Sequence, residues 1–127
     1  MKRIKVLDCT LRDGGYVNNW EFGSLGFDIV KSLYDSNIEI IECGFLNPNG
    51  IKNTTQYKSF TEVNSYIKQI TKEQTKNTMF VAMIELDKYD PNILPPLNGD
   101  QNQITGIRMT FRKSAKDRFI KAAKEII

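Results

Sequence analysis

Hydrophobic and polar positions alternate along the chain in two distinct ways. Short, nearly continuous apolar runs rich in β-branched residues read as buried strands, and apolar residues spaced three and four apart read as amphipathic helices. The runs are "IKVLDCTL" (Ile4 to Leu11), "IEIIECGF" (Ile38 to Phe45), "MFVAMIEL" (Met79 to Leu86) and "ITGIRMTF" (Ile104 to Phe111). Between the first two, Ser24 to Ser36 places Leu25, Ile29, Val30 and Leu33 on one helical face, with Phe22 just before it and Asn37 as a left-handed cap. Phe60, Val63, Ile67 and Ile70 mark a second helix, and Phe119, Ile120, Ala123 and Ile127 a last one within Ser114 to Ile127. The interval from Asp87 to Gln103 holds Asp90-Pro91, Pro95-Pro96 and Asn98-Gly99, so any helix there is short and stops before the prolines. Leu46 to Gln56 reads as a polar loop, and Gly14-Gly15 as the turn that ends the first strand.

Strand, helix and strand in repeated succession predict an α/β fold whose parallel strands are covered on both faces. A doubly wound sheet and a barrel both fit this pattern. A complete (β/α)8 TIM barrel takes about 250 residues, so four such units in 127 residues correspond to the first half of one. Residues 1–127 are expected to form one domain, a half-barrel, and the final "KEII", which lacks a cap or polar tail, reads as a chain interrupted midway.

Composition narrows the function classes. Lys and Arg exceed Asp and Glu by only 18 to 15, with no dense basic run, which argues against nucleic acid as partner. No segment approaches the roughly 18 apolar residues of a membrane helix, and the basic start lacks the apolar core of a signal peptide, so a cytoplasmic location is expected. Cys9 and Cys43 each lie in an apolar run and are expected to be buried free thiols. The chain contains no histidine, so metal chemistry here relies on oxygen ligands or on groups supplied from elsewhere.

The chemistry concentrates in "LDCTLRDGGYVNNW" (Leu7 to Trp20). Arg12 and Asp13 stand where the first strand ends, and in α/β folds the carboxyl ends of the strands form the active-site face. Asp13 offers hard oxygens for a divalent cation, Arg12 a fork of donors for a carboxylate or enolate oxygen, and Gly14-Gly15 a sharp turn with room for a ligand. Glu42, an acid inside an apolar strand, calls for a partner, and Arg12 on the neighbouring strand is the natural one. A structural ion pair and a catalytic one are equally compatible with that spacing. Arg112, just past the fourth strand, is a candidate grip for a substrate carboxylate. Tyr16 and Trp20 are placed at the mouth of the site, with packing over the first helix as the simpler role for Trp20. Asn47, Asn49 and Asn53 lie in the loop at the same end, where backbone reasons alone favour asparagine.

"LDCTLRDGG" followed one helix later by "IEIIECGF" resembles the metal-dependent TIM-barrel aldolases and acyltransferases, the group of 4-hydroxy-2-oxovalerate aldolase, hydroxymethylglutaryl-coenzyme A lyase, and isopropylmalate and homocitrate synthases. The aldolases are the most similar members. The resemblance covers the chain as the first four units of the barrel. It implies a carbon–carbon lyase acting on a 2-oxo acid, such as a 4-hydroxy-2-oxo acid, through a metal-stabilised pyruvate enolate. It further implies Asp13 as metal ligand, for Mn2+ or Mg2+ and alternatively Zn2+, Arg12 as stabiliser of the enolate, and Glu42 as support for the arginine. The family completes its metal site with a His-x-His pair from the second half of the barrel, which this chain lacks. Tyr16 stands where the aldolases carry a histidine base, and a phenol is a poor base at neutral pH. The 127 residues alone are therefore expected to be inactive, needing a C-terminal half-barrel or a second copy, with a homo-oligomer as the expected assembly. The alternative is a binding or regulatory half-barrel that self-associates. A nucleotide-binding doubly wound sheet is disfavoured, because no G-x-G-x-x-G or Walker sequence follows any strand.

Overall fold

The computed structural model describes residues 4–51, 53–72, 76–94, 100 and 102–126. Its five strands are β1 (Leu7–Asp8), β2 (Ile40–Leu46), β3 (Gln56–Tyr57), β4 (Met79–Glu85) and β5 (Ile104–Thr110), and its helices are α1 (Thr10–Asp13), α2 (Gly15–Asn18), α3 (Ser24–Asp35), α4 (Phe60–Thr71) and α5 (Lys116–Ile126). The strands form one sheet in the order β1-β2-β4-β5, every neighbouring pair parallel, with β3 pairing β2 outside this path. The protein is thus an α/β fold on a parallel sheet. No helix among the described residues is long and apolar enough to cross a membrane.

The core lies on one face of this sheet. Ile41 and Cys43 of β2 and Phe80, Ala82 and Ile84 of β4 pack with Val30 and Tyr34 of α3 and with Phe60, Val63, Ile67 and Ile70 of α4. The α4 residues are the four that its spacing marked, and the helix starts where Ser59 Oγ accepts the Glu62 amide. Helix α3 presents a slightly different face. Gly26, Val30 and Tyr34 are buried, whereas Leu25 is 57% exposed. The Tyr34 ring stacks on Phe80 at 5.8 Å, and this contact rotates the helix away from Leu25. Asn37 adopts the left-handed conformation that its position suggested (φ 59°). Its amide and that of Ile38 bond to the Tyr34 and Leu33 carbonyls, closing the helix in a Schellman motif.

Four features differ from the sequence expectation. The first strand shrinks from Ile4–Leu11 to Leu7–Asp8, with Val6 and Leu7 53% and 36% exposed. The cause is Asp8, whose carboxylate accepts both the amide (3.1 Å) and the hydroxyl (3.0 Å) of Thr10 and so turns the chain into α1. The sheet edge that β1 leaves vacant beside β2 is taken by β3, which the polar loop concealed: Phe45 and Leu46 pair with Gln56 and Tyr57. The third crossover carries 3-10 turns at Leu86–Lys88 and Pro91–Ile93 in place of a helix, the second starting on the proline itself. In α5 the buried position is Ala122, while Ile120 is 39% exposed. Pro95-Pro96, Asn98-Gly99 and Ile127 lie outside the described residues.

Candidate functional site

Backbone alternation turns every second strand residue away from the helices. On this second face stand Glu42 of β2, Val81 and Met83 of β4, and Arg108 of β5, which is opposite Met83. Glu42 is completely buried. Both of its bonds fall on one oxygen: Oε2 accepts Arg12 Nε at 3.1 Å and Arg108 Nη1 at 2.8 Å. Oε1 is also buried, and among the described residues no group donates to it.

Helix α1 delivers Arg12. The amides of Arg12 and Asp13 bond to the Cys9 carbonyl at 3.0 and 2.9 Å, so the strand end curls at once into a helical turn. Thr55, fully buried, fastens that turn to the sheet. Its hydroxyl donates to the Leu11 carbonyl at 3.1 Å, its amide to the Trp20 carbonyl at 3.1 Å, and its carbonyl accepts the Phe45 amide at 2.9 Å. The chain can pass this close only because residue 44 is glycine. Gly44 has φ +143°, and a Cβ there would stand 2.1 Å from the Thr55 carbonyl oxygen. Gly44 also lies in the bulge that shifts β2 against β4 between Glu42 and Phe45.

Asp13 completes the group. Its Oδ1 pairs with Arg12 Nη1, and its Oδ2 accepts Cys9 Sγ at 2.9 Å. Electrostatics follow from these contacts. Burial pushes the Glu42 carboxyl up from its ordinary range, against the bond from Arg12 and the charge of Arg108. Burial pulls the Arg12 guanidinium down, and its bond to Glu42 with the charges of Glu42 and Asp13 more than restores it. The Cys9 thiol is raised by the hydrogen bond it donates to Asp13 and by partial burial. Cys43, deep in the core, is raised to a greater extent, chiefly by burial and further by the nearby Glu42 charge. Both thiols are free, and only Cys43 is buried as expected.

The structure thus brings Arg12, Asp13 and Glu42 together and adds Arg108, which the sequence did not single out. An arginine in the middle of the apolar run "ITGIRMTF" is the one local oddity that could have drawn attention to it, though not to its partner. Tyr16 is 59% exposed and meets Trp20 edge-on at 4.9 Å. Trp20 packs on Phe45 of β2 (5.3 Å). Gly14 and Gly15 do not make a ligand-sized gap. Cβ atoms there would come within 3.1 Å of the Phe22 ring and 2.1 Å of the Trp20 indole, so these glycines serve close aromatic packing. Asn47 donates to Gln56 Oε1 at 3.1 Å and Asn53 to the Asn19 carbonyl, both holding the loop. Arg112 is exposed and lines a separate hollow of about 610 Å³ at the carboxyl ends of β4 and β5, with Glu85, Asp87, Thr110 and Arg118.

No protein family, curated protein or solved structure matches this chain. Its chemistry is therefore argued from the residues themselves. Among the described residues no three His, Cys, Asp or Glu side chains group closely enough to hold a metal ion. Asp13 has both oxygens engaged, by a guanidinium and a thiol, and so offers at most one ligand of a set. The donor set present does not by itself fit a divalent cation.

Proposed function

We propose that this chain is the 2-oxo-acid-binding part of a carbon–carbon lyase of the aldolase type, arranged as the first half of a TIM barrel. The strand order supports the half-barrel. Each new strand of the path β1-β2-β4-β5 adds to the same side, whereas a doubly wound sheet reverses direction. The observation that carries the chemical reading is the fully buried Glu42 holding Arg12 at the end of the first strand. A buried carboxylate adds little net stability compared with an apolar side chain of the same size, but it fixes a guanidinium in one orientation.

In retro-aldol cleavage of a 4-hydroxy-2-oxo acid, a base takes the 4-hydroxyl proton and the C3–C4 bond breaks. Its electron pair moves onto the 2-oxo oxygen to form an enolate, and protonation at C3 then gives pyruvate. Arg12 would stabilise that oxygen, a reading supported by its fixed orientation, with Nε held by Glu42 and Nη1 by Asp13. Tyr16, exposed beside Trp20, is the candidate proton donor. Asp13 would serve a divalent cation, Mn2+ or Mg2+ with Zn2+ as the alternative, only with ligands from a C-terminal half-barrel or a second copy. Arg112 would meet the far end of the substrate.

Cleavage of 4-hydroxy-2-oxovalerate is the test, run on the chain alone and on the protein carrying a completing half-barrel. Pyruvate release that needs added manganese or magnesium and vanishes in a folded Asp13→Asn variant is the expected result. A folded, metal-supplied whole protein that neither binds pyruvate nor cleaves the hydroxy acid overturns the reading.

A self-associating binding half-barrel is the second reading. It is favoured by the apolar residues exposed at the β1 edge, Ile4, Val6 and Leu7. Sedimentation equilibrium separates a monomer from a closed pair.

A further inference from the structure

We infer that the hollow bounded by α4, by Thr54 ahead of β3 and by Glu21 ahead of α3 binds a neutral polyhydroxylated ligand, a pyranose sugar. None of its residues belongs to the Arg12 site, so the inference goes beyond the 2-oxo acid reading and does not depend on it.

The hollow encloses about 680 Å³, within the range of roughly 300–1,000 Å³ usual for small-molecule sites. Along α4, Thr61, Ser65 and Gln69 recur every fourth residue, share one stripe of the helix and all line the hollow. The Ser65 hydroxyl donates to the Thr61 carbonyl at 2.9 Å, which leaves its own oxygen as an acceptor. The Thr61 hydroxyl and the Gln69 amide have no partner among the described residues. Tyr57 and Tyr66 supply the aromatic part of the lining, their ring centroids 6.0 Å apart.

Charge decides the ligand class. Glu21 and Glu62 are the only charged residues among the described residues that line the hollow, so an anion would be repelled. No third acid, cysteine or histidine among the described residues joins them to hold a metal ion. Glu21 Oε1 accepts the Thr54 hydroxyl and, at 3.2 Å, the Gly23 amide. The Thr54 bond is the main cause holding this carboxyl below its ordinary value, so it stands at the rim as an ionised acceptor. Hydroxyls that both donate and accept, a fixed carboxylate and aromatic rings suit a ligand with O–H groups around its edge and C–H groups on its face.

Tyr66 supplies a second observation. Its ring meets Phe27 edge-on at 6.1 Å, a contact that phenylalanine would make equally well. Its hydroxyl is buried and has no partner among the described residues. A buried hydroxyl without a partner costs free energy, and a ligand hydroxyl in the hollow would supply the missing bond.

Saturation-transfer NMR on the whole chain tests this, with the methyl glycosides of glucose, galactose and mannose as probes and glucuronate and cyclohexanol as controls. At least one methyl glycoside is expected to bind in the millimolar range, with glucuronate about fivefold weaker and cyclohexanol silent. Thr61→Val with Ser65→Ala, both at exposed positions, is expected to keep the wild-type unfolding curve and lose about tenfold in affinity. Tyr66→Phe is expected to lose about fivefold without loss of stability. Excess pyruvate should displace nothing. Silence of all three glycosides overturns the inference, as does glucuronate or cyclohexanol binding as well as they do. Binding that the Thr61 and Ser65 changes leave intact, or that pyruvate competes away, places the sugar elsewhere and overturns it too.

Discussion

The two faces of β2 and β4 are built from adjacent residues and behave as different materials. Ile41, Cys43, Phe80, Ala82 and Ile84 point into a dry core under α3 and α4. Glu42, one bond away from Cys43, is equally buried yet holds two arginines on the opposite face, with Val81 and Met83 filling the sheet between them. On the first face burial is the source of stability. On the second it is a cost offset by charge pairing, and what it yields is a fixed arrangement of guanidiniums. Strand parity therefore separates residues that hold the fold from residues that would recognise a ligand.

Substitutions can break this separation. The largest effect is expected from Phe80→Ala, which removes the ring stacked on Tyr34 and should cost about 3–5 kcal/mol in urea unfolding. Carboxylate affinity of the fraction that remains folded should not change. Glu42→Ala leaves two guanidiniums without their carboxylate and should cost about 3 kcal/mol, abolishing ligand binding as well. Glu42 also gives a pH signature. Because its folded carboxyl is raised, the term it contributes is fully present below the ordinary carboxylate range and is lost as pH rises through the raised value. Unfolding free energy measured against pH should show this downward slope in the wild type and lack it in Glu42→Gln.

Gly44→Ala ranks next, at about 2 kcal/mol. It imposes a Cβ at φ +143° against the Thr55 carbonyl, which ties α1 to the sheet. Arg12 should shift with α1, so this variant should weaken ligand binding although residue 44 touches no ligand. The smallest effect on stability, none, is expected from alkylation of Cys9. Its thiol is held protonated by Asp13, so iodoacetamide should react slowly near neutral pH and faster as pH rises, and Asp13→Asn should accelerate it. Cys43 should remain unreactive until the protein unfolds, because burial raises its thiol further.

Strong periodicity was readable from sequence wherever a single face dominates. Phe60, Val63, Ile67 and Ile70 predict α4 because their spacing admits one buried stripe, and the apolar runs at β2 and β4 are strands buried along nearly their whole length, whereas β5, expected to be covered on both faces like them, is buried only at Ile104 and half-buried or exposed beyond it. The first strand misled because Asp8 reads as a polar interruption in an apolar run, while its actual work is to accept two bonds from Thr10. β3 escaped notice because two residues in a polar loop carry no periodicity. Their placement depends on β1 ending early and on a glycine 12 positions before Gln56. At the site, Arg12 and Glu42 were foreseeable as partners from the cost of burying an acid. Arg108 was not, because its meeting with Glu42 depends on a register across three strands, including the one-residue shift between Phe80 and Val81 that no local pattern encodes.

The two-residue length of β1 also sets an order in which the protein opens. β4 lies between two full-length neighbours, while β1 is held to β2 by the pairs at Leu7 and Asp8 and by the Ile40 amide bonded to the Val6 carbonyl. In deuterated solvent the amides of β4 should be the last to exchange, and those of the first segment should go early, through local opening far cheaper than global unfolding. Arg12 rides on that early-opening segment, whereas Glu42 and Arg108 belong to the slow centre. A molecule held by Arg12 and by the slow centre together would therefore staple the first part of the chain to the last part to come undone, and its binding would be recorded as slowed isotope exchange along Leu7 to Asn18.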